Sequence, residues 1–395
     1  MLTDYDIYIG IDIGKSFHHA IALLPGSERR AIDRRVTQSE DDIGRLFDEA
    51  SSYGKVHVAV DQISDVGGLV VAIAKARCID VGYLPTYTMR QAARLYPGYA
   101  KTDVLDAAVI ADVSMRIPAL IVPIEDDLGR YEELSILASQ HVFLVKESTR
   151  VQLRMRGMLA RLNPQLERAF PRERLFGKLS LELFARYGGP EGFRKAGRSR
   201  VAKWASSRPR QCSRALVIVE DIFNALDSQE TRIPGTPALE RCIAADAKLL
   251  QGLFAEIEKL DEEIARLLGE FPESAILRSM PGIGVIWCAT IIGAVGDFSR
   301  FPSSAHLASY AGLAPGKWES GTSIRGTVRP KGNRQLKNAL RQSAQHAAQC
   351  DEKSRRYYDK KRSEGRTHGQ AITALARRRV DVMYAMVKNG ELYAG

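Results

Sequence analysis

The sequence of 395 residues has no long hydrophobic segment and few cysteines. Its longest apolar run, ALIVPI, has about six residues, whereas a membrane-spanning helix needs roughly 18. The amino terminus carries neither a basic region nor a cleavable hydrophobic region. The five cysteines form no CxxC pair, which argues against a disulfide scaffold and a zinc knuckle. We therefore expect a cytoplasmic protein of two or three domains with no membrane partner.

Charge is distributed in alternating blocks along the chain. The chain has 57 Lys and Arg against 47 Asp and Glu, a net charge of +10. Net charges of −7, +13, −8 and +12 belong in turn to residues 1–145, 146–214, 215–299 and 300–395. Basic segments of this density favour a polyanionic partner over a merely solvated surface. The composition therefore indicates binding to nucleic acid.

The first 125 residues alternate short strands and helices. Strand-like segments occur at 7–13, 19–24, 34–38, 56–61 and 80–85. Helical patterns begin after the capping Ser39, at 66–77 and from about Thr102. Three antiparallel strands followed by strands alternating with helices are typical of an α/β ribonuclease-H-like domain.

Residues 126–270 are predicted to be mainly helical. The segments 128–162 and 237–268 have apolar residues at three- and four-residue steps, which predicts long helices that form a coiled-coil seam or pair as a hairpin. Between them, residues 172–236 are rich in Arg, Gly and Pro, with poor periodicity apart from the segments LELFARY and RALVIVEDIFNAL. We interpret that stretch as a basic insertion.

Four acidic residues of the first domain form a candidate metal site. Asp12 lies within an apolar strand and Asp61 ends another strand, while Asp103 and Asp106 share one face of a helix. Asp112 lies nearly opposite them and is expected to be a surface acid. Hard carboxylate oxygens suit one or two Mg²⁺ ions, which can support phosphoryl transfer. Taken singly, Asp103 is also explained as a helix cap and Asp61 as an ordinary strand-end residue.

The string GIDIGKS is a possible phosphate-binding turn. Gly10 and Gly14 enclose three residues where a P-loop needs four, and a strand follows instead of a helix. The same turn is similar to the first phosphate motif of actin-like and sugar-kinase ATPases. Those proteins need a second Asp-x-Gly hairpin, and SDVGG at 64–68 opens a helix instead. The ATPase interpretation is therefore the weaker alternative.

Residues 271–395 are predicted to form an all-α domain. Within it, the segment 277–297 has the pattern helix, PGIG, helix, which is similar to a helix–hairpin–helix. The backbone N–H groups around Gly282 and Gly284 are then candidates for contact with a nucleic-acid phosphate. A plain interhelical turn is the alternative.

A basic loop at 312–333 contains hydroxyl side chains. Ser320, Thr322 and Ser323 are candidates either for attack on phosphorus or for hydrogen bonding to a clamped phosphate. The candidate nucleic-acid-binding cations of this region are Lys317, Arg325, Arg329, Lys331 and Arg334.

With both halves considered, the chain resembles the insertion-sequence DEDD transposases of the IS110 type, which are related to the Piv DNA invertases and are also described as bridge-RNA-guided recombinases. GIDIGK, VAVD and AKTDVLDAAVIA resemble the RuvC-like half of that family. MPGIG and RFPSSAHLASYAGLAPGKWESGTSIRGTVRPKGNRQLKNAL resemble its carboxy-terminal transposase half. The likeness covers about residues 1–165 and 237–350.

The resemblance implies a function and site residues. Asp12, Asp61, Asp103 and Asp106 would bind Mg²⁺, and Ser320 would form a phosphoserine with cleaved DNA. The family further implies a structured non-coding guide RNA, donor and target DNA as partners, and a homo-oligomer between dimer and tetramer. Asp61 stands where the family usually has Glu, and the 172–236 stretch is longer than in compact members. A RuvC-like junction nuclease and an inactive nucleic-acid-binding relative are the alternative functions.

Overall fold

The structure is a computed structural model that describes residues 5–27, 29–63, 65–96, 102–124, 128–208, 212–314, 316–320, 323–328 and 332–394. The chain divides into two compact units, residues 1–128 and residues 129–395, which we call the amino-terminal and carboxy-terminal units. In the described part of the chain, no helix is both long enough and apolar enough to cross a bilayer.

A six-stranded sheet forms the centre of the amino-terminal unit, in the order β3-β2-β1-β4-β5-β6. Its strands are β1 (Ile7–Asp12), β2 (Phe17–Leu23), β3 (Arg30–Thr37), β4 (Val56–Val60), β5 (Asp80–Tyr83) and β6 (Val122–Pro123). The first three strands are antiparallel neighbours, while β4 and β5 extend the sheet parallel to β1. The predicted antiparallel meander followed by alternating strands and helices is confirmed.

Helices cover both faces of this sheet. They are α1 (Glu40–Ser51), α2 (Gly68–Ala76), α3 (Thr86–Ala92) and α4 (Asp103–Arg116). Because side chains of a strand alternate between faces, Ile7, Ile9 and Ile11 of β1 all point to one side, where they pack in a core with α1 and α2. The opposite face packs against α3 and α4. The two faces of β1 are therefore a purely apolar face and a face that can present Asp12.

Two long helices run through the carboxy-terminal unit, α5 (Leu128–Leu162) and, after six shorter helices, α12 (Thr236–Leu268). Three ion pairs join the α5 side to the α12 side: Arg130 with Glu270 at 2.9 Å, His141 with Asp261 at 3.1 Å, and Arg154 Nε with Asp246 at 2.8 Å. As the residue number rises along α5, that of its partner falls. The two helices are therefore antiparallel, as the hairpin interpretation predicted.

The basic stretch between the long helices is a helical bundle with its own core, although its sequence showed poor periodicity. The six helices are α6 (Pro164–Ala169), α7 (Arg172–Leu175), α8 (Lys178–Tyr187), α9 (Pro190–Ala196), α10 (Arg198–Ser206) and α11 (Cys212–Asp227). Phe170, Phe184 and Phe193 are fully buried in its core, which also includes residues of α5 and α12. Many of its arginines form ion pairs within the unit; Arg198, for example, pairs with Glu220 and Asp227.

The described residues after α12 form helices and one β-hairpin. The helices are α13 (Glu273–Arg278), α14 (Val285–Val295), α15 (Ser304–Tyr310), α16 (Arg334–Cys350), α17 (Glu352–Ser363) and α18 (His368–Asn389). The hairpin consists of β7 (Gly316–Ser320) and β8 (Ser323–Val328). The all-α prediction for residues 271–395 was therefore wrong at this point. The β-branched residues of SIRGTV favour an extended strand over the basic loop predicted at 312–333.

Candidate active site

Asp12 and Asp61 lie side by side at one edge of the parallel part of the sheet. Asp12 ends β1 and Asp61 directly follows β4, and the neighbouring residues Ile11 and Val60 are paired in the register of the two strands. Residues two apart in a strand share a face, so Asp12 shares the face of Gly10, and Asp61 that of Ala59. Both of those residues pack against α4 or the core beside it. The two carboxylates therefore face the layer that contains α4.

Gly10 allows α4 to lie directly on β1. A Cβ atom at Gly10 would be 2.2 Å from the backbone N of Ala111 and 2.3 Å from the carbonyl oxygen of Ala107. Asp103 and Asp106 lie on the first turn of the same helix, which begins at the cap Thr102, whose hydroxyl accepts the N–H of Leu105. Asp103 is therefore not the capping residue, and its carboxylate does not serve that function.

All four predicted acids line one open cleft of about 900 Å³ in the amino-terminal unit. Asp61 and Asp106 are buried, with 8% and 6% exposure, Asp12 is half-buried and Asp103 is exposed. The cleft is also lined by three cations that the sequence analysis missed: Lys15, Arg90 and Arg94. The four-residue spacing of Arg90 and Arg94 on a helical stretch after β5 was the available signal. The cleft thus combines hard oxygen ligands with cations that can bind phosphate.

The turn after Asp12 is held by two hydrogen bonds. The backbone N–H of Ile13 donates to Oδ1 of Asp61 at 3.2 Å, and that of Gly14 donates to Nδ1 of His18 at 3.2 Å. Burial lowers the pKa of His18, while its hydrogen bond to Gln38 opposes that shift. The neutral imidazole is the form that accepts from Gly14, so the low pKa keeps the turn intact at neutral pH.

The acids of this cleft fit Mg²⁺ by the chemistry of their donors. Carboxylate oxygens are hard ligands, and Mg²⁺ is usually bound by one or two carboxylates together with substrate phosphates. Across the described residues, no group of three or more His, Cys, Asp or Glu side chains is arranged to hold a metal ion. The four carboxylates therefore line the cleft as oxygen donors, but they are not arranged as a complete set of metal ligands.

The PGIG turn of the carboxy-terminal unit is tightly packed. Gly282 has a φ of +81°, and a Cβ atom there would be 2.5 Å from the carbonyl oxygen of Ser343 in α16. Gly284 is the N-cap residue of α14, and a Cβ atom there would meet no atom within 4 Å. Arg379, only 5% exposed, fixes the turn by donating to the carbonyl oxygen of Pro281 at 2.5 Å and to Oγ of Ser343 at 2.9 Å.

The backbone of Ser320 ends β7, where it pairs with Ser323 at the start of β8. The backbone segments before and after this hairpin lie very close together, since a Cβ atom at Gly332 would be 2.4 Å from the backbone N of Gly312. Asn333 adds a hydrogen bond from its N–H to the carbonyl oxygen of Tyr310 at 2.8 Å. The hairpin is therefore anchored to the end of α15.

The predicted cations of the serine loop are only partly described. Lys317 and Arg325 lie in β7 and β8, and their side chains, like that of Ser320, are outside the description. Thr322, Arg329 and Lys331 lie outside the described residues. Arg334 is exposed at the first position of α16, where Asn333 is the capping residue.

Two family models match this chain. Residues 9–164 match a model described as a transposase, and residues 274–359 match one described as transposase of the IS116/IS110/IS902 family. The first range contains the four acids, and the second contains the PGIG turn, Ser320 and Arg334. The matched regions thus contain the residues that the sequence analysis had singled out.

Curated relatives extend the likeness over the whole chain. An uncharacterised 43.6 kDa protein of insertion element IS110 from Streptomyces coelicolor is 41% identical, over 99% of this chain and 96% of its own length. An uncharacterised 44.8 kDa protein of IS116 from Streptomyces clavuligerus is 32% identical over 100% and 98%. A pilin gene-inverting protein of Moraxella bovis is 32% identical over 33% of this chain and 43% of its own length. The chain belongs to the IS110/IS116 family of insertion-sequence transposases.

Proposed function

We propose that this transposase is a site-specific recombinase that cuts and rejoins DNA through a covalent phosphate ester of Ser320. Its amino-terminal unit is a ribonuclease-H-like domain whose Asp12, Asp61, Asp103 and Asp106 bind Mg²⁺. The observation that carries the proposal is the convergence of these four acids, from two strands and one helix, on a single cleft in a member of a transposase family.

The reaction conserves the phosphodiester bond. The Oγ of Ser320 loses its proton and attacks phosphorus, so that a Ser–O–P bond forms and one bridging P–O bond of the DNA strand breaks. The leaving sugar oxygen takes up a proton, so no net proton is gained or lost. In the second half, a sugar hydroxyl of another strand attacks the same phosphorus and releases Ser320. Bound Mg²⁺ would neutralise charge that develops on the phosphate oxygens. No external energy source is needed, because one ester replaces another.

The cations of the acid cleft support a phosphodiester as the substrate. Lys15, Arg90 and Arg94 line the cleft together with the carboxylates. Guanidinium groups bind phosphate in a bidentate manner, which positions a strand without reading its sequence. We propose that these three residues orient the backbone of the DNA whose phosphate reacts.

The serine mechanism is tested by trapping the covalent adduct. Wild-type protein incubated with labelled DNA and Mg²⁺ should give a protein–DNA species on a denaturing gel that resists detergent and boiling and is destroyed by protease. The variant Ser320→Ala removes the attacking oxygen and should give neither adduct nor recombinant product. Ser323→Ala is the matched control and should be much milder. Cleavage by Ser320→Ala, with no adduct in the wild type, would instead indicate a hydrolytic junction nuclease.

We further propose that a structured non-coding RNA from the element guides this recombinase and that the active form is a dimer to tetramer. Both follow from the resemblance to bridge-RNA-guided members of the family. A recombination assay with purified protein, donor and target DNA should depend on RNA transcribed from the DNA that flanks the gene. Light scattering should give the mass of two to four chains in the RNA-bound state. Full recombination without RNA, or a monomeric active complex, would contradict the respective proposal.

A further inference from the structure

An open groove of about 680 Å³ crosses the carboxy-terminal unit between α5 and α16. Its basic and aromatic lining residues are Phe143, Lys146, Trp287, Arg334, Lys337 and Arg341. The α5 residues are three apart, and those of α16 are spaced by three and four, so each set lies on one face of its helix. Side chains of α14, including the half-buried Trp287, complete the lining.

The walls of this groove are fixed to one another. The side-chain amide of Gln335 in α16 donates to Oγ of Ser139 in α5 at 2.9 Å. On the other side, α14 lies very close to α5, since a Cβ atom at Gly293 would be 2.8 Å from the Cα of Ser135. The groove is therefore built into the packing of three helices and does not depend on a loop.

The charge of the groove is of one sign. Among its described lining residues there are four cations and no carboxylate. None of Lys146, Arg334, Lys337 and Arg341 forms an ion pair with another described residue, in contrast to Arg198 and Arg154 of the helical bundle and α5. Unpaired cations that line a concave surface attract a polyanion.

This groove also exposes an aromatic ring, which a site that contacts only the phosphates of a duplex would not need. Phe143 is 53% exposed, one helical turn before Lys146. Bases of a single strand can stack on such a ring, whereas the bases of a duplex are already stacked on each other. The groove thus offers both phosphate contacts and a stacking surface.

The groove adjoins the base of the serine hairpin. Arg334, at its edge, directly follows Asn333, which caps α16 and anchors the hairpin to Tyr310. We propose that this groove binds a single strand of DNA beside the hairpin that carries Ser320. The inference rests on the proposed function, because DNA is the strand on which that serine would act.

Binding of full-length protein to fluorescein-labelled oligonucleotides tests the proposal. Single-stranded DNA, single-stranded RNA and duplex DNA of one sequence are compared by fluorescence anisotropy. Phe143→Ala should weaken binding of single-stranded DNA by about 5- to 150-fold, the range expected for loss of one stacked base. Lys337→Gln should reduce the slope of log K against log salt by about 0.7, the value for one phosphate contact on a single strand.

Two matched variants serve as controls. Leu153→Ala removes an exposed apolar side chain from the same helix α5 outside the groove, and Lys388→Gln removes an exposed lysine of α18. Both should bind single-stranded DNA within about twofold of the wild type, well under the loss expected for one stacked base. Thermal melting of all four variants separates a binding defect from unfolding.

The proposal is overturned if Phe143→Ala and Lys337→Gln bind single-stranded DNA as the wild type does. It is equally overturned if the larger loss is measured for RNA or for duplex DNA, which would identify a different occupant. Failure of the covalent-adduct assay would instead remove the proposed function. The anisotropy measurement is independent of that result, because it requires no cleavage.

Discussion

Replacement of Gly10 by Ala tests how the acid cleft is assembled. The added Cβ atom would lie 2.2 Å from the backbone N of Ala111 and 2.3 Å from the carbonyl oxygen of Ala107. Ordinary contacts of a Cβ atom begin near 3.4 Å, so α4 must move away from β1 by about 1 Å. Both clashing atoms belong to backbone and cannot rotate away. Overpacking of this kind typically costs about 1–3 kcal/mol of folding free energy.

The same displacement moves two of the four acids. Asp103 and Asp106 are on α4, whereas Asp12 and Asp61 belong to the sheet, so the two pairs separate. A misplacement of about 1 Å at a reacting site can reduce a rate by roughly 100-fold. We therefore expect Gly10→Ala to lower both the denaturant midpoint and the rate of DNA cleavage, while binding of nucleic acid by the carboxy-terminal unit changes little.

A control comes from a glycine with free space around it. Gly157 is exposed in α5, and a Cβ atom there would meet no atom within 4 Å. Gly157→Ala should raise stability by about 0.5–1 kcal/mol, the usual gain from replacing glycine within a helix. Urea unfolding and a labelled-strand cleavage assay measure both variants. A Gly10→Ala protein with wild-type stability and cleavage rate would refute the account of how α4 positions Asp106.

Three further predictions concern single side chains. Asp12→Asn should abolish strand cleavage and leave the Kd for DNA nearly unchanged, because a metal ligand acts on the transition state. EDTA should likewise stop cleavage by the wild type. Cleavage by the variant would contradict the four-acid site. Burial lowers the pKa of His57 from 6.5 to about 4, so the folded protein binds this proton less readily than the unfolded chain. The free energy of unfolding should then fall by up to roughly 3 kcal/mol as the pH falls from about 6.5 to about 4. Chemical unfolding of His57→Gln across this pH range should not show this loss. Arg379→Met leaves the carbonyl of Pro281 and the hydroxyl of Ser343 without their donor, which should lower the free energy of unfolding by about 1–3 kcal/mol. An unchanged urea midpoint would show that Arg379 does not hold the PGIG turn.

The elements that could be predicted from the sequence are those with long or regular patterns. The long helix at 128–162 has the predicted bounds, and Ser39 caps α1 as expected by accepting the N–H of Asp42. The positions of β1 to β5 along the chain were also accessible, because apolar runs and turn residues mark these strands. Much of the bundle at 164–227 was not, since α6, α7 and α9 have only four to seven residues and complete too few turns to show a period. Glycines such as Gly188 and Gly197 end these helices, and they made the stretch resemble a loop.

Only part of the candidate site could be predicted from the sequence, because the rest depends on contacts between distant parts of the chain. An aspartate in an apolar strand is conspicuous because its burial is costly, and Asp12 and Asp61 could be identified in this way. The contact between Gly10 and α4 depends on atoms about 100 positions apart in the chain, and no local pattern encodes that approach. Arg90 and Arg94 join the cleft through packing of this long-range kind, whereas Lys15 lies in the turn directly after Asp12.

The basic blocks of this chain have two different physical roles, and burial and pairing separate them. In the helical bundle, Arg174 and Arg198 are paired with carboxylates of α11, so their charge is compensated within the fold. In the groove beside α16, Lys337 and Arg341 have no carboxylate partner among the described residues, and an exposed phenyl ring lies across from them. Net charge alone assigned both segments to nucleic acid. The ion pairing of individual side chains makes the groove the better candidate for binding nucleic acid. A strand bound there would lie next to the hairpin that carries Ser320.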